Sequence, residues 1–145
     1  MDREILFRGR TIKTRFGGGK WIEGFFVMSC AGHAEMEPAI ITGTEKGCFM
    51  TEFVDPATVG QFTGLYDKNG KKIFEGDILT TDLFRPYVVV IFRDGCFMFN
   101  CNDGGKDYWD IMLPIIKEAQ TQTLYHEVIG NIHDTPDLGL KEEAE

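Results

Sequence analysis

The cysteines and histidines of this 145-residue chain include the residue types that bind zinc. Structural zinc sites usually combine two tight pairs such as C-x-x-C, whereas the only close pair here is Cys30-x-x-His33. Cys96 and Cys101 lie an odd number of positions apart, so they face opposite sides of an unbroken strand. We expect reduced thiols, with a zinc site as the alternative. The residues that would supply such a site are Cys30, His33, Cys48, Cys96, Cys101, His126 and His133.

Carboxylates beside turns are the residues with the types and spacing for acid–base chemistry. Two carboxylates can act as acid and base when their surroundings push their pKa values apart. An aspartate in a turn more commonly accepts backbone N–H bonds, and no Ser-His-Asp or Cys-His signature accompanies these residues. We therefore predict a structural role for Asp77 and no catalytic residues or enzyme activity. The carboxylates concerned are Glu75, Asp77, Asp94, Asp103, Asp107 and Asp110.

Glycines 17–19 precede Lys20, which raises the question of a phosphate-binding loop. Such a loop requires G-x-x-x-x-G-K-[ST] between a strand and a helix, whereas Lys20 is followed by Trp21 and a strand pattern. No cofactor is predicted from this segment.

The first twenty residues are basic in an acidic chain. They hold six cations and two anions, a net charge of +4, so the rest of the chain carries −12 of the total −8. A basic segment with aromatic residues nearby can bind nucleic acid, although −12 elsewhere repels phosphate. Candidate contacts for nucleic acid or a protein partner are Arg3, Arg8, Arg10, Lys13 and Arg15. Candidate stacking residues are Trp21, Tyr66, Phe84, Tyr87, Tyr108 and Trp109, with Arg85 and Arg93 adjacent.

Short apolar runs separated by turn residues must position these side chains. This pattern is typical of a small β-fold, and Asn69-Gly70 predicts a tight hairpin. Gly9 is expected to end the first strand, Pro56 to open a turn or one helical turn, and Ile115 to Gln122 to form a short helix. Strands are predicted at residues 4–8, 21–29, 39–42, 48–53, 61–66, 71–74, 78–81, 86–92, 96–100 and 127–132.

Length and composition favour an ordered protein with a real core. A chain of this size buries about two thirds of its unfolded surface. It has no apolar run of about 18 residues and begins with charged residues, so we expect neither a secretory signal nor a membrane span, and a cytoplasmic location. The predicted divisions are an N-terminal β-rich part at 1–53, an SH3-like partly open barrel at 54–135 and an acidic tail at 136–145.

Two motifs identify a family resemblance. The first, at 55–78, is D-P-x-T-V-x-Q-x-T-G-x-x-D-x-N-G-x-x-I-x-E-G-D-I, and the second, at 127–138, is E-V-I-G-N-I-H-x-x-P-x-L. Together they resemble the signature of the YopX family of phage and prophage proteins. The opening R-E-I-x-F-R at 3–8 is similar to the usual start of that family. The resemblance implies a mainly β fold, a C-terminal SH3-like barrel with an N-terminal β-rich part packed on it, and a phage or prophage origin in a bacterial host. It implies no reaction and no cofactor.

These observations lead to two hypotheses of different classes. The first is a non-enzymatic protein-interaction module that forms a homo-oligomer or binds a host or phage protein. Edge strands such as Glu4 to Arg8 would then pair between subunits, because their unpaired backbone groups are templates for another strand. The alternative is a nucleic-acid-binding accessory protein that uses the basic N-terminal segment.

Overall fold

The computed structural model describes residues 3–13, 15, 17–30, 34–43, 46–80, 87–103, 106–111 and 116–136. This part of the chain is mainly β, as predicted, and contains no helix of seven residues or more. No helix among these residues has the length and apolar character to cross a membrane. The strands are β1 Phe7–Arg10, β2 Trp21–Ser29, β3 Glu37–Gly43, β4 Phe49–Phe53, β5 Gly60–Tyr66, β6 Lys72–Phe74, β7 Asp77–Thr80, β8 Val88–Arg93, β9 Cys96–Asp103, β10 Lys106–Ile111, β11 Ile116–Glu118, β12 Thr123–Leu124 and β13 Glu127–Asn131.

Contacts divide the chain into two units, Met1–Phe62 and Thr63–Glu145, and β5 runs through the division. The domain bounds given above stay predictions. In the first unit the strand order is β5-β1-β2-β3-β4, with every neighbouring pair antiparallel. Ala39, Ile40 and Val54 have no exposed surface and form its core.

Gly9 lies inside β1 and does not end it, so the strand predicted at 4–8 is displaced toward the C-terminus. A Cβ atom at Gly9 would lie 3.0 Å from the Cβ of Val54 and 3.2 Å from the Cδ1 of Ile40. The residue is therefore glycine because two core side chains approach the backbone closely. The sequence marks a glycine here but does not distinguish a strand end from a close approach.

The second unit contains two open sheets that share one core. One sheet has the order β10-β9-β8-β7-β13, and the other joins β6, β12 and β11 to the second half of β5. The core takes Ile73 and Leu124 from the second sheet and Leu79, Val90 and Phe99 from the first. The described strands pack as open sheets and do not close into a barrel.

The predicted hairpin at Asn69-Gly70 is confirmed. Asp67 N donates to Lys71 O at 2.8 Å, and Gly70 has a φ of 81°, which suits glycine. The turn predicted after Pro56 is also present, as a 3₁₀ turn over Pro56–Thr58.

The helix predicted over Ile115 to Gln122 is wrong where the structure describes it. Residues 116–118 form β11, which pairs with β12, and residues 119–122 form a turn. Thr121 Oγ1 bonds to Glu118 O at 3.4 Å, and Gln122 has a φ of 55° that a helix does not allow. Pairing of Ile116 with the buried Leu124 outweighs the modest helix propensity of this segment.

Candidate functional site

The basic N-terminal residues do not form one cationic surface. Arg8 is only 9% exposed, and its guanidinium lies 4.8 Å from the centre of the Trp21 ring. The guanidinium of Arg10 lies 5.8 Å from the same ring, because Arg10 is paired with Trp21 in the β1–β2 register. Both arginines therefore contribute cation–π contacts and stem packing within the first unit. Trp21 is correspondingly covered and does not offer a free stacking face on that side.

Arg3, Lys13 and Arg15 are exposed, as a contact surface requires. Lys13 and Arg10 border a groove of about 480 Å³ that also includes the carboxylate-bearing Asp55. This groove mixes charges of both signs and does not concentrate positive charge. The described residues that line it are Arg10, Thr11, Ile12, Lys13, Asp55 and Pro56.

Backbone hydrogen bonds hold the loop that follows β1. Thr11 N donates to Lys20 O, and Gly19 N donates to Thr11 O, both at 2.9 Å. Glycines 17–19 have φ values of 119°, 116° and 76°, which places all three in the region that favours glycine. The tri-glycine segment thus closes a loose hairpin between β1 and β2, and a strand follows Lys20, as the sequence predicts.

Turn aspartates use their oxygens to bind backbone donors. The prediction for Asp77 is confirmed, because its Oδ2 accepts from Phe74 N at 2.8 Å and the residue is 1% exposed. Asp67 is equally buried. Its Oδ1 accepts from Asn69 N and Lys71 N at 2.8 Å each, and its Oδ2 accepts from Val128 N at 3.1 Å.

The remaining carboxylates offer no assembled acid–base pair among the described side chains. Asp94 is exposed in a turn, where its Oδ2 lies 3.6 Å from the Nε of Arg93, and Glu75 is half-buried. The side chains of Asp103, Asp107 and Asp110 lie outside the described part of the structure.

The candidate zinc ligands that the structure describes do not lie together. Cys30 and Cys48 are exposed, Cys96 is half-buried, and none of the three is in a disulfide. His33 and the side chain of Cys101 fall outside the described residues. Within the described residues, no three Cys, His, Asp or Glu side chains are placed to share a metal ion.

His126 is a buried histidine in the second unit. It is 6% exposed, its ring centre lies 5.0 Å from that of Phe99, and burial lowers its pKa from the ordinary value of 6.5. Its Nδ1 has no hydrogen-bond partner among the described residues. The neutral ring therefore packs as part of the core.

Besides Trp21, two aromatic candidates for base stacking have side chains in the described part of the second unit. Tyr66 and Tyr87 are half-buried. Tyr66 borders a second groove, of about 360 Å³, together with Lys68 and Lys117. The positions of Phe84 and Arg85, and the side chains of Tyr108 and Trp109, lie outside what the structure describes.

The two most exposed large apolar side chains among the described residues lie on β4 and β2 of the first unit, and a third exposed side chain, Met50, also lies on β4. Phe49 is 75% exposed, Phe25 60% and Met50 51%. The register places Phe49 and Thr51 on one face of β4 and Met50 on the other, so both faces carry an exposed apolar side chain. In the sequence, F-M-T-E-F at 49–53 does not alternate regularly between apolar and polar residues, and this irregularity is the signal that could have indicated an exposed apolar surface.

β4 is the last strand in the order of this unit, whereas β1 lies between β2 and β5. The prediction that Glu4 to Arg8 forms an edge strand is therefore wrong. Val54 N donates to Pro38 O at 3.1 Å, so the backbone of Val54 faces β3. Because this direction alternates along an antiparallel strand, Phe49, Thr51 and Phe53 direct their N–H and C=O groups away from β3.

The far end of this edge is covered by the chain that follows β1. Ile12 N donates to Phe53 O at 3.3 Å, and Asp55 N donates to Arg10 O at 2.9 Å. Thr11 forms a β-bridge with Val54 in the same place. The inner side of the remaining stretch, Phe49 to Thr51, pairs with β3, and no described strand pairs with its outer side.

Comparison with known proteins identifies the family. The chain is similar over most of its length to a crystal structure of protein EF1440 from Enterococcus faecalis, with 24% identity, 94% of this chain and 99% of that chain covered, and a TM-score of 0.48. No curated protein matches. Residues 25–139, well over half of the sequence, match the family model described as YopX protein. The chain therefore belongs to the YopX protein family.

Proposed function

We propose that this chain is a non-enzymatic protein-interaction module of phage or prophage origin that binds another protein chain through the β4 edge in the cytoplasm of a bacterial host. The observation that supports this proposal is an exposed edge strand with apolar side chains on both faces. Phe49 and Met50, at 75% and 51% exposure, lie beside outward-directed backbone groups.

Such an edge is a template for a further strand. Proteins usually protect an edge with proline, lysine, a bulge or a covering segment. The stretch from Phe49 to Thr51 contains no proline or lysine. Among the described residues, the covering segment at Arg10 to Ile12 pairs with Phe53 to Asp55. An incoming strand would gain main-chain hydrogen bonds from the edge and apolar contact from Phe49 and Met50.

The basic segment supports the nucleic-acid alternative less well. Arg8 and Arg10 are engaged with Trp21, and the groove beside Lys13 includes Asp55. A net charge of −8 also opposes binding to phosphate at long range.

Light scattering over a range of protein concentrations tests the proposal, with Phe49→Lys as the edge variant. A lysine on an edge strand disfavours pairing, and Phe49 is too exposed for the change to disturb the core. The matched control is Phe92→Lys, because Phe92 is 53% exposed on β8 in the other unit. We expect the parent chain and the control to associate with themselves or with a host or phage protein, and Phe49→Lys to lose that association.

Two results would overturn the proposal. One is equal association by the parent chain and Phe49→Lys, which would exclude the edge. The other is a strictly monomeric chain that binds no protein but shifts DNA or RNA at low salt, with binding that falls steeply as salt rises.

A further inference from the structure

We infer that the partner at the β4 edge is a second copy of this chain, paired antiparallel about a two-fold axis that passes beside Met50. This inference rests on the proposed function and adds the identity of the partner and the register of the pairing. A closed dimer of this kind uses the same strand from both copies.

The hydrogen-bonding direction of β4 limits where the axis can lie. Phe49 and Thr51 direct their backbone groups outward, whereas Met50 and Glu52 face β3. With the axis beside Met50, Phe49 faces the partner's Thr51, and Thr51 faces the partner's Phe49. Each of these two pairs exchanges two hydrogen bonds, so Phe49 and Thr51 of the two copies make four bonds in all.

Neighbouring axis positions use the edge less well. An axis beside Thr51 makes one central pair with two bonds and then places Phe49 opposite the partner's Phe53. The carbonyl of Phe53 already accepts from Ile12 N at 3.3 Å, and the Arg10–Ile12 segment covers the edge there. An axis beside Glu52 opposes two carboxylates, which destabilises a strand pair.

The Met50 register also gives Phe49 and Met50 neighbours in the partner copy. Phe25 pairs with Ile41, and Ile41 pairs with Thr51, so these residues form a row across one face of the sheet. The partner's Phe49 continues this row beside Thr51. On the opposite face, Met50 meets the partner's Met50 at a pair whose Cα atoms lie about 4.5 Å apart.

The net charge of the first unit is small enough for two copies to associate through it. Residues 1–62 carry seven cations and eight anions, a net charge of −1, so the rest of the chain carries −7 of the total −8. In the Met50 register, Glu52 faces the partner's Cys48 and lies diagonal to the partner's Lys46, a separation that a long side chain spans. The edge therefore lies in the nearly neutral part of an acidic protein.

Disulfide cross-linking tests the register in a variant with all four cysteines replaced by serine. Met50→Cys would place two thiols across the axis at a Cα separation that a disulfide accepts. Thr51→Cys is the register control, because diagonal neighbours lie about 7–8 Å apart, too far for a disulfide. Met36→Cys, at a residue 56% exposed in the same unit but outside β4, measures random collision.

We expect Met50→Cys to form a covalent dimer at least about tenfold faster than either control, because pairing raises the local thiol concentration into the millimolar range. Faster cross-linking of Thr51→Cys would overturn the Met50 register and leave the edge proposal standing. Slow cross-linking of all three in a protein that light scattering shows to be dimeric would overturn β4 pairing. A monomer at every concentration would overturn the dimer.

Hydrogen exchange on the unsubstituted chain keeps the test independent of the cysteine changes. The amides of Phe49 and Thr51 should exchange more slowly as protein concentration rises, whereas those of Met50 and Glu52, which face β3, should not change. Equal behaviour of all four amides would contradict the inferred pairing.

Discussion

Replacement of Asp67 by asparagine tests whether the family motif at 55–78 acts as a fold determinant. Asp67 is 1% exposed, and its carboxylate accepts three hydrogen bonds from backbone N–H groups, two from its own turn and one from Val128 N on β13. Asparagine keeps one acceptor oxygen, which can serve Asn69 and Lys71. Its amide nitrogen would then face Val128 N, so that two donors meet at a buried position.

A buried donor without an acceptor costs about 1–3 kcal/mol, and we expect Asp67→Asn to lose that much unfolding free energy. Asp55→Asn is the matched control. Asp55 is exposed, and its side chain accepts a bond from Ala57 N at 3.0 Å that asparagine can also accept. We expect a change within about 0.5 kcal/mol there.

Urea unfolding followed by circular dichroism, with linear extrapolation to water, measures both values. Asp67→Ala should lose about 3 kcal/mol or more, because it leaves all three donors without an acceptor. The reasoning is refuted if Asp67→Asn unfolds within about 0.5 kcal/mol of the parent chain, or if Asp55→Asn loses as much as Asp67→Asn.

Two further predictions concern the cores of the two units. A Cβ at Gly24 would overlap the carbonyl oxygen of Ile41, so Gly24→Ala should lower the unfolding free energy by about 1–3 kcal/mol or more, measured by thermal unfolding. Gly43→Ala is the control and should keep its stability, because no atom lies within 4 Å of the added carbon. Equal losses in the two variants would contradict the close approach of β2 and β3. Burial lowers the pKa of His126, so the unfolded chain binds a proton at a higher pH than the folded one, and the stability associated with the neutral ring is lost as pH falls below about 6.5. Between about pH 7.5 and 5.5, His126→Gln should therefore lose less unfolding free energy than the parent chain, and parallel pH curves would show that the ring protonates equally in both states.

Local turn chemistry made much of the fold predictable. The Asn69-Gly70 hairpin, the 3₁₀ turn after Pro56 and the role of Asp77 follow from short-range preferences that the structure confirms. The segment at 116–122 was not predictable in this way. Its conformation is set by pairing of β11 with β12, a contact that local propensity does not encode.

The candidate site was less predictable, because charge in sequence does not show which side of a strand a cation occupies or what lies there. Arg8 and Lys13 look equivalent in the sequence. In the structure Arg8 is buried against Trp21, and Lys13 is exposed beside a groove. The difference depends on the β1–β2 register, which pairs strands separated by the loop at 11–20.

Strand order decides which backbone groups remain unpaired, and it is the feature that sequence patterns predict least well. β1 and β4 are both short strands, yet β1 is enclosed by β2 and β5 while β4 ends the order. The same loop produces both the cover and the gap on β4. It brings Ile12 to Phe53, and no described strand pairs with the outer side of Phe49 to Thr51. A loop without Thr11 and Ile12 would leave Phe53 uncovered as well. The two-fold axis that uses most of the edge would then move from Met50 toward Thr51. The covered end of β4 therefore selects the register of the inferred dimer, which links the glycine-rich loop to partner recognition through backbone geometry.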